Sequence, residues 1–111
     1  MSDENISQLI PIHACEFNIN EGLVTALFIK ESKSFLDKIL FSKINRVPSK
    51  IDFDEIGSFV WQQINGQNSV SEISKISQKH FGERIEPVQE RVETFIRQLA
   101  GTKLINLYKK R

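Results

Sequence analysis

The chain has one cysteine, two histidines and no long apolar run, and each scarcity removes a class of protein. Cys15 alone excludes an internal disulfide and fits a reducing compartment, while a bridge between chains stays open. His13 and His80 stand in separate stretches, neither beside a Ser or Cys nucleophile with an orienting acid, so no catalytic residue is expected. His13-Ala14-Cys15 is the sole hint of metal ligation, and two such ligands on one strand do not build a tetrahedral site. His13 is therefore read as a surface residue and Cys15 as a buried one, with no metal and no cofactor expected. The five glycines stand singly, so no Gly-rich loop cradles a phosphate. No apolar stretch approaches the ~20 residues of a membrane span, and no basic segment followed by an apolar run opens the chain. A cytoplasmic protein without membrane contacts is expected.

What is present is the composition of one soluble domain: of 111 residues, 40% are hydrophobic and 26% charged, enough for a single modest core. The organisation expected is a flexible N-terminus over 1–8, one domain over 9–108 and a basic tail over 109–111. Met1 to Ser7 is read as frayed, with nothing in it to bury. A net charge of +1 conceals segregation. Acids without any Lys or Arg occupy the stretch to Ile29, bases dominate Lys30 to Lys50, acids return through Ala100, and the tail is basic. Such zones are ordinarily solvated surface, and they also steer charged partners.

Periodicity supplies the elements. Cys15, Phe17 and Ile19, then Leu23, Thr25, Leu27 and Ile29, alternate on either side of Asn20-Glu21-Gly22, which reads as a β-hairpin over Ala14–Ile29. Glu31 to Pro48 carries Phe35, Leu36, Ile39 and Leu40 at helical spacing among lysines. A short amphipathic helix covering one edge of the domain is expected there, in preference to a membrane-surface helix, which Asp37 disfavours. Pro48 forces an extended entry into a third strand, Ser49–Phe53. Asp54 then caps a helix over Glu55–Ile64 whose apolar face is Ile56, Phe59, Val60 and Ile64, with Asn65-Gly66 as a left-handed stop. Gly57 inside that helix costs about 1 kcal/mol against Ala, which predicts close approach of another backbone.

Ser69-Val70-Ser71-Glu72 is a capping box opening a second helix, Val70–Phe81, with Ile73, Ile76 and Phe81 on its buried side and Gly82 as terminator. Pro87 suits the first turn of a third helix, Pro87–Ala100, with a core stripe of Val88, Val92, Phe95 and Leu99 ended by Gly101. Leu104 to Tyr108 is read as an extended tail. The architecture expected is α+β, a three-stranded antiparallel sheet followed by three helices in a winged helix-turn-helix arrangement.

The run DEIGSFVWQQINGQNSVSEI, with HFGERIEP, QERV and FIRQL after it, resembles the PqqD-like family over about half the chain, Ile51 to Ile105. The chain departs from the family pattern at Asn65, where Asp is frequent, and in the long Glu31–Pro48 connection. Members of this family are peptide-binding modules also called RiPP recognition elements. The resemblance implies a non-catalytic peptide chaperone that takes up the leader of a ribosomally made precursor peptide and presents it to a radical-SAM maturase. It also implies a groove between the third strand and the third helix.

Strand addition at an exposed sheet edge gives affinity without a catalytic group, which fits this sequence. The groove that the resemblance implies makes Lys50, Ile51 and Phe53 the peptide-binding residues expected on the strand, with Ile51 and Phe53 pairing, and Arg91, Phe95 and Gln98 those on the helix wall; Phe95 also reads as plain core, and Arg91 and Gln98 as a solvated flank. The alternative is a winged-helix DNA-binding protein or transcriptional regulator. Its recognition helix would carry Glu86, Glu90 and Glu93 against Arg91 and Arg97, and those acids repel phosphate, so no nucleic-acid partner is expected.

Overall fold

The computed structural model describes residues 5–31 and 46–109. Among them the chain is α+β. Strands β1 (Leu9–His13), β2 (Glu16–Asn20), β3 (Leu23–Glu31) and β4 (Arg46–Asp52) precede helices α1 (Glu55–Gln62), α2 (Val70–Phe81) and α3 (Val88–Gly101), and β5 (Ile105–Lys109) closes the order. β2, β3 and β4 form a three-stranded antiparallel sheet in that order, with β3 central.

The hairpin forms where alternation and turn chemistry agree. Glu21 at φ 53° and Gly22 at φ 81° form a two-residue turn with both φ positive, which sets Asn20 opposite Leu23 and matches the twist of the strands. Val24 and Ala26 then point to the core face and are fully buried, while Leu23 and Ile29 leave the opposite face and are exposed. Register pairs continue to Glu31 opposite Arg46, so both strands run further than alternation alone indicates. The helix expected in Glu31–Pro48 falls otherwise outside the described residues. At its two ends the expectation is corrected, because ladder pairing makes Glu31 and Arg46–Pro48 strand.

Antiparallel pairing fixes which way each backbone group faces. Phe53 N donates to Val24 O at 2.9 Å, so Ile51 turns its backbone inward to Ala26 by the same alternation, and Lys50 and Asp52 turn theirs outward. Pro48 belongs to the outward set opposite Ile29, which puts its missing N–H where no ladder bond is lost.

The sheet passes into α1 through two side chains. Asp54 caps the helix by accepting from Gly57 N at 2.7 Å. Ser58, fully buried, accepts from Val24 N at 2.8 Å and donates to Phe53 O at 3.3 Å, so one hydroxyl closes the end of the β3–β4 ladder with a helical residue. The capping box of α2 is present, with Ser69 accepting from Glu72 N and Glu72 accepting from Ser69 N.

Several expectations are corrected. Leu104 to Tyr108 is extended, as expected, but does not leave the fold as a tail. β5 pairs antiparallel with β1 in a second, two-stranded sheet, burying Leu104 and Ile105. Ile6 is buried in a turn before β1, against the expectation that nothing up to Ser7 has a place in the core. Ile76 is exposed, because the buried face of α2 runs along Val70, Ile73, Ser77 and Phe81 and leaves Ile76 on its flank. The core stripe of α3 is Val92, Ile96 and Leu99, with Val88 and Phe95 only partly covered. Gly101 continues α3, and the left-handed position after it is Lys103, at φ 64°.

Removing the Ser58 hydroxyl leaves the buried Val24 amide and the Phe53 carbonyl without this link. Ser58→Ala is expected to cost about 1–3 kcal/mol in urea denaturation, with the helical circular dichroism retained; a loss below about 0.5 kcal/mol would show that the ladder end does not depend on it.

Candidate functional site

Aromatic side chains tie the two sheets to the helices. Trp61 on α1 has no exposed surface and sits at the centre. His13 of β1 stacks on it with centroids 4.2 Å apart and planes 18° from parallel. Phe17 of β2 meets both rings edge-on, at 4.7 Å from His13 and 5.4 Å from Trp61. On the other side Phe53 lies 5.3 Å from Trp61 and 5.4 Å from Phe95 of α3, edge to face with the latter. Phe53 thus links the end of β4 to α3 through its ring.

His13 is half-buried rather than a surface residue. Its Nε2 lies 2.9 Å from the Trp61 carbonyl oxygen, a contact in which the ring nitrogen must carry the proton and donate. Burial pushes its pKa below the ordinary imidazole value, and the hydrogen bond to Trp61 opposes that shift in part. Cys15 is likewise only partly buried. Burial pushes its thiol pKa up, against the opposing backbone hydrogen bond at Leu27, so it remains a protonated, weakly nucleophilic side chain. No group of three or more His, Cys, Asp or Glu residues suited to holding a metal ion occurs among the described residues.

Beside the Phe53–Phe95 pair lies a cleft of about 400 Å³. Its floor is apolar, from Phe53, Ile56, Val60, Ile85, Val92 and Phe95, and its rim carries Asp52 and Asp54 on one side and Arg91 on the other. Gly57 belongs to this wall. A Cβ there would stand 3.1 Å from Asp54 Oδ1 and 3.4 Å from both Phe53 Cβ and Phe95 Cζ, so the glycine admits the capping carboxylate and two aromatic side chains rather than another backbone. Arg91 is held in place: its Nη1 donates to the Arg84 carbonyl at 2.8 Å. Arg84 in turn pairs with Glu55 at 2.6 Å. That pair holds the Glu55 carboxyl below and the Arg84 guanidinium above their ordinary pKa values. Because both partners are exposed, it positions the turn more than it stabilises the fold.

Of the residues expected at a binding site, Phe53, Arg91 and Phe95 come together around this cleft. Gln98 continues the same helical row from Arg91 and Phe95 but lies outside the lining, exposed. Ile51 and Lys50 are one and two pairs up the strand from Asp52 on the cleft rim, Ile51 with its backbone turned to β3 and Lys50 with its backbone outward. Asp52, Asp54, Ile56, Val60, Ile85 and Val92 were not anticipated as lining residues. Ile85 has no periodic signal of its own, lying in the short turn between α2 and α3. Trp61, the hub of the aromatic set, falls between the positions of the expected α1 stripe, so helical periodicity does not mark it.

Three comparisons bear on the chain. A family model described as Coenzyme PQQ synthesis protein D (PqqD) matches residues 47–105, just over half of the sequence, a segment that begins in β4 and ends in β5. No curated protein and no solved structure matches.

The buried ring of His13 makes stability depend on pH. Its folded pKa is depressed, so the unfolded chain binds the proton more readily and stability, complete above about pH 6.5, declines as pH falls through that value. Urea midpoints measured from about pH 8 to about pH 5 are expected to decline across this range, and the decline should be shallower in His13→Phe. An identical slope in the variant would assign the dependence to other groups.

Proposed function

We propose, because the chain belongs to the coenzyme PQQ synthesis protein D family, that it is a non-catalytic peptide-binding module which takes up the leader of a ribosomally made precursor as an added strand. The observation that carries this reading is the outward-facing backbone of Lys50 and Asp52 on β4, which among the described residues pairs on one side only, immediately beside the cleft rimmed by Arg91.

The mechanism is division of labour between backbone and side chains. The N–H and C=O groups of Lys50 and Asp52 pair with an extended peptide whatever its sequence, and the cleft selects by receiving one apolar side chain between Phe53, Phe95 and Ile85. Arg91 attracts an acid on the peptide next to that anchor, while Asp52 and Asp54 repel one on the opposite rim. Ile51 and Phe53 serve as the inner half of the strand that displays these groups. The remainder of the precursor is then held at high local concentration for a modifying enzyme of the radical-SAM type, and no reacting group is required of this chain.

The order of β4, three helices and β5 is consistent with a winged helix-turn-helix arrangement, yet α3 is poorly suited to a DNA groove. Its Arg97 lies 3.8 Å from Glu93, Arg91 is engaged by the Arg84 carbonyl, and Glu86 and Glu90 are exposed nearby. None of the described helices is long and apolar enough to cross a membrane. A cytoplasmic setting is part of this proposal.

Titration calorimetry with a leader peptide of a ribosomally made precursor, chosen from any short reading frame found beside this gene, tests the reading. Lys50→Pro removes one outward amide without touching the β3 ladder and is expected to weaken binding about ten-fold. Arg91→Glu is expected to weaken an acid-bearing leader while leaving strand pairing intact. Undiminished affinity in a folded Lys50→Pro protein would contradict strand addition at β4.

A further inference from the structure

We propose that the outer edge of β2 is a self-pairing surface, through which two copies of the chain join their three-stranded sheets into one continuous antiparallel sheet. The inference does not depend on what β4 binds.

β2 pairs only with β3 among the described residues. Because Val24 and Ala26 turn their backbone groups to β4, the alternation along β3 directs Leu23, Thr25 and Leu27 to β2, where they meet Asn20, Asn18 and Glu16. Phe17 and Ile19 are left with their N–H and C=O groups pointing outward. The strand EFNIN contains neither Lys nor Pro, two of the devices that blunt an edge, and its single charge, Glu16, lies at its end. By contrast, the β4 edge carries both Pro48 and Lys50.

The edge is also self-complementary. Phe17 and Ile19 are symmetric about Asn18, so a two-fold axis through Asn18 sets Phe17 opposite Ile19 of the second copy and Ile19 opposite its Phe17, each pair exchanging both backbone hydrogen bonds. Glu16 then faces Asn20 of the second copy, and no like charges oppose one another. Ile19 is 51% exposed although it shares the core face with the fully buried Val24, because among the described residues no strand lies beyond β2. In the paired sheet it lies across from a phenyl ring, an aromatic and β-branched pair of the kind that stabilises sheets. The two β4 edges stay outward at opposite ends, roughly 24 Å apart at the usual strand spacing, so each copy keeps its cleft open.

Sedimentation equilibrium on the full chain, run up to about millimolar concentration, tests this against the alternatives. A reversible dimer is expected. Ile19→Pro removes only an outward amide, since Ile19 and Val24 form a non-bonded pair, and Asn18→Lys places two ammonium groups face to face on the two-fold axis without touching the core. Each is expected to raise the dimer dissociation constant at least ten-fold, whereas Lys50→Pro leaves it unchanged. A wild-type chain that stays monomeric throughout overturns the proposal. So does a dimer indifferent to both β2 variants, or one abolished by Lys50→Pro alone, which would place the contact on β4.

Discussion

The Ser58 hydroxyl is the constraint on which the rest of the structure depends. It occupies the last rung of the β3–β4 ladder, accepting from one strand and donating to the other, and it does so from inside α1. Helix and sheet are therefore locked at one rotation relative to each other. A slip of one residue in β4 would turn Phe53 away from Trp61 and send Lys50 and Asp52 inward. The rung thus decides at once which side chains reach the core and which backbone groups remain available at the edge.

From that point order spreads through rings. Phe53 touches Trp61 and Phe95, Trp61 touches His13 and Phe17, and so the five aromatic side chains connect both sheets, α1 and α3. Gly57 makes this possible at the narrowest place, where its missing Cβ leaves room for Phe53, Phe95 and the capping carboxylate together. The cleft lies next to this assembly, so a ligand there would be held by rigid elements. Arg91, the one cation on its rim among the described residues, is oriented by the Arg84 carbonyl.

Local chemistry was legible in the sequence wherever it acts locally. The capping box at Ser69–Glu72, the Asp54 cap and the hairpin turn at Glu21-Gly22 each depend on residues within a few positions, and each is present. Long-range pairing was not. Nothing near Leu104–Tyr108 signals that it meets Leu9–His13, because the alternation of a short strand looks like that of an extended tail until its partner is known. His13 reads as a surface residue for the same reason: its burial comes from Trp61, distant in sequence, and not from its neighbours. At the site, family resemblance led to Phe53, Arg91 and Phe95, but the assignment of pairing to Ile51 and Phe53 required knowing which side of β4 faces β3. Only register supplies that, and it is the ground on which the proposal puts pairing at Lys50 and Asp52.

The claim that a peptide adds to the outer edge of β4 makes a residue-by-residue forecast. Amide hydrogen exchange followed by NMR, with and without the leader peptide, reads it directly. The account predicts that Lys50 and Asp52, whose amides face outward, become protected when peptide is added, while Ile51 and Phe53, already bonded to β3, change little. Protection confined to Phe17 and Ile19, or no new protection anywhere along Ser49–Phe53 in a saturated complex, would contradict it.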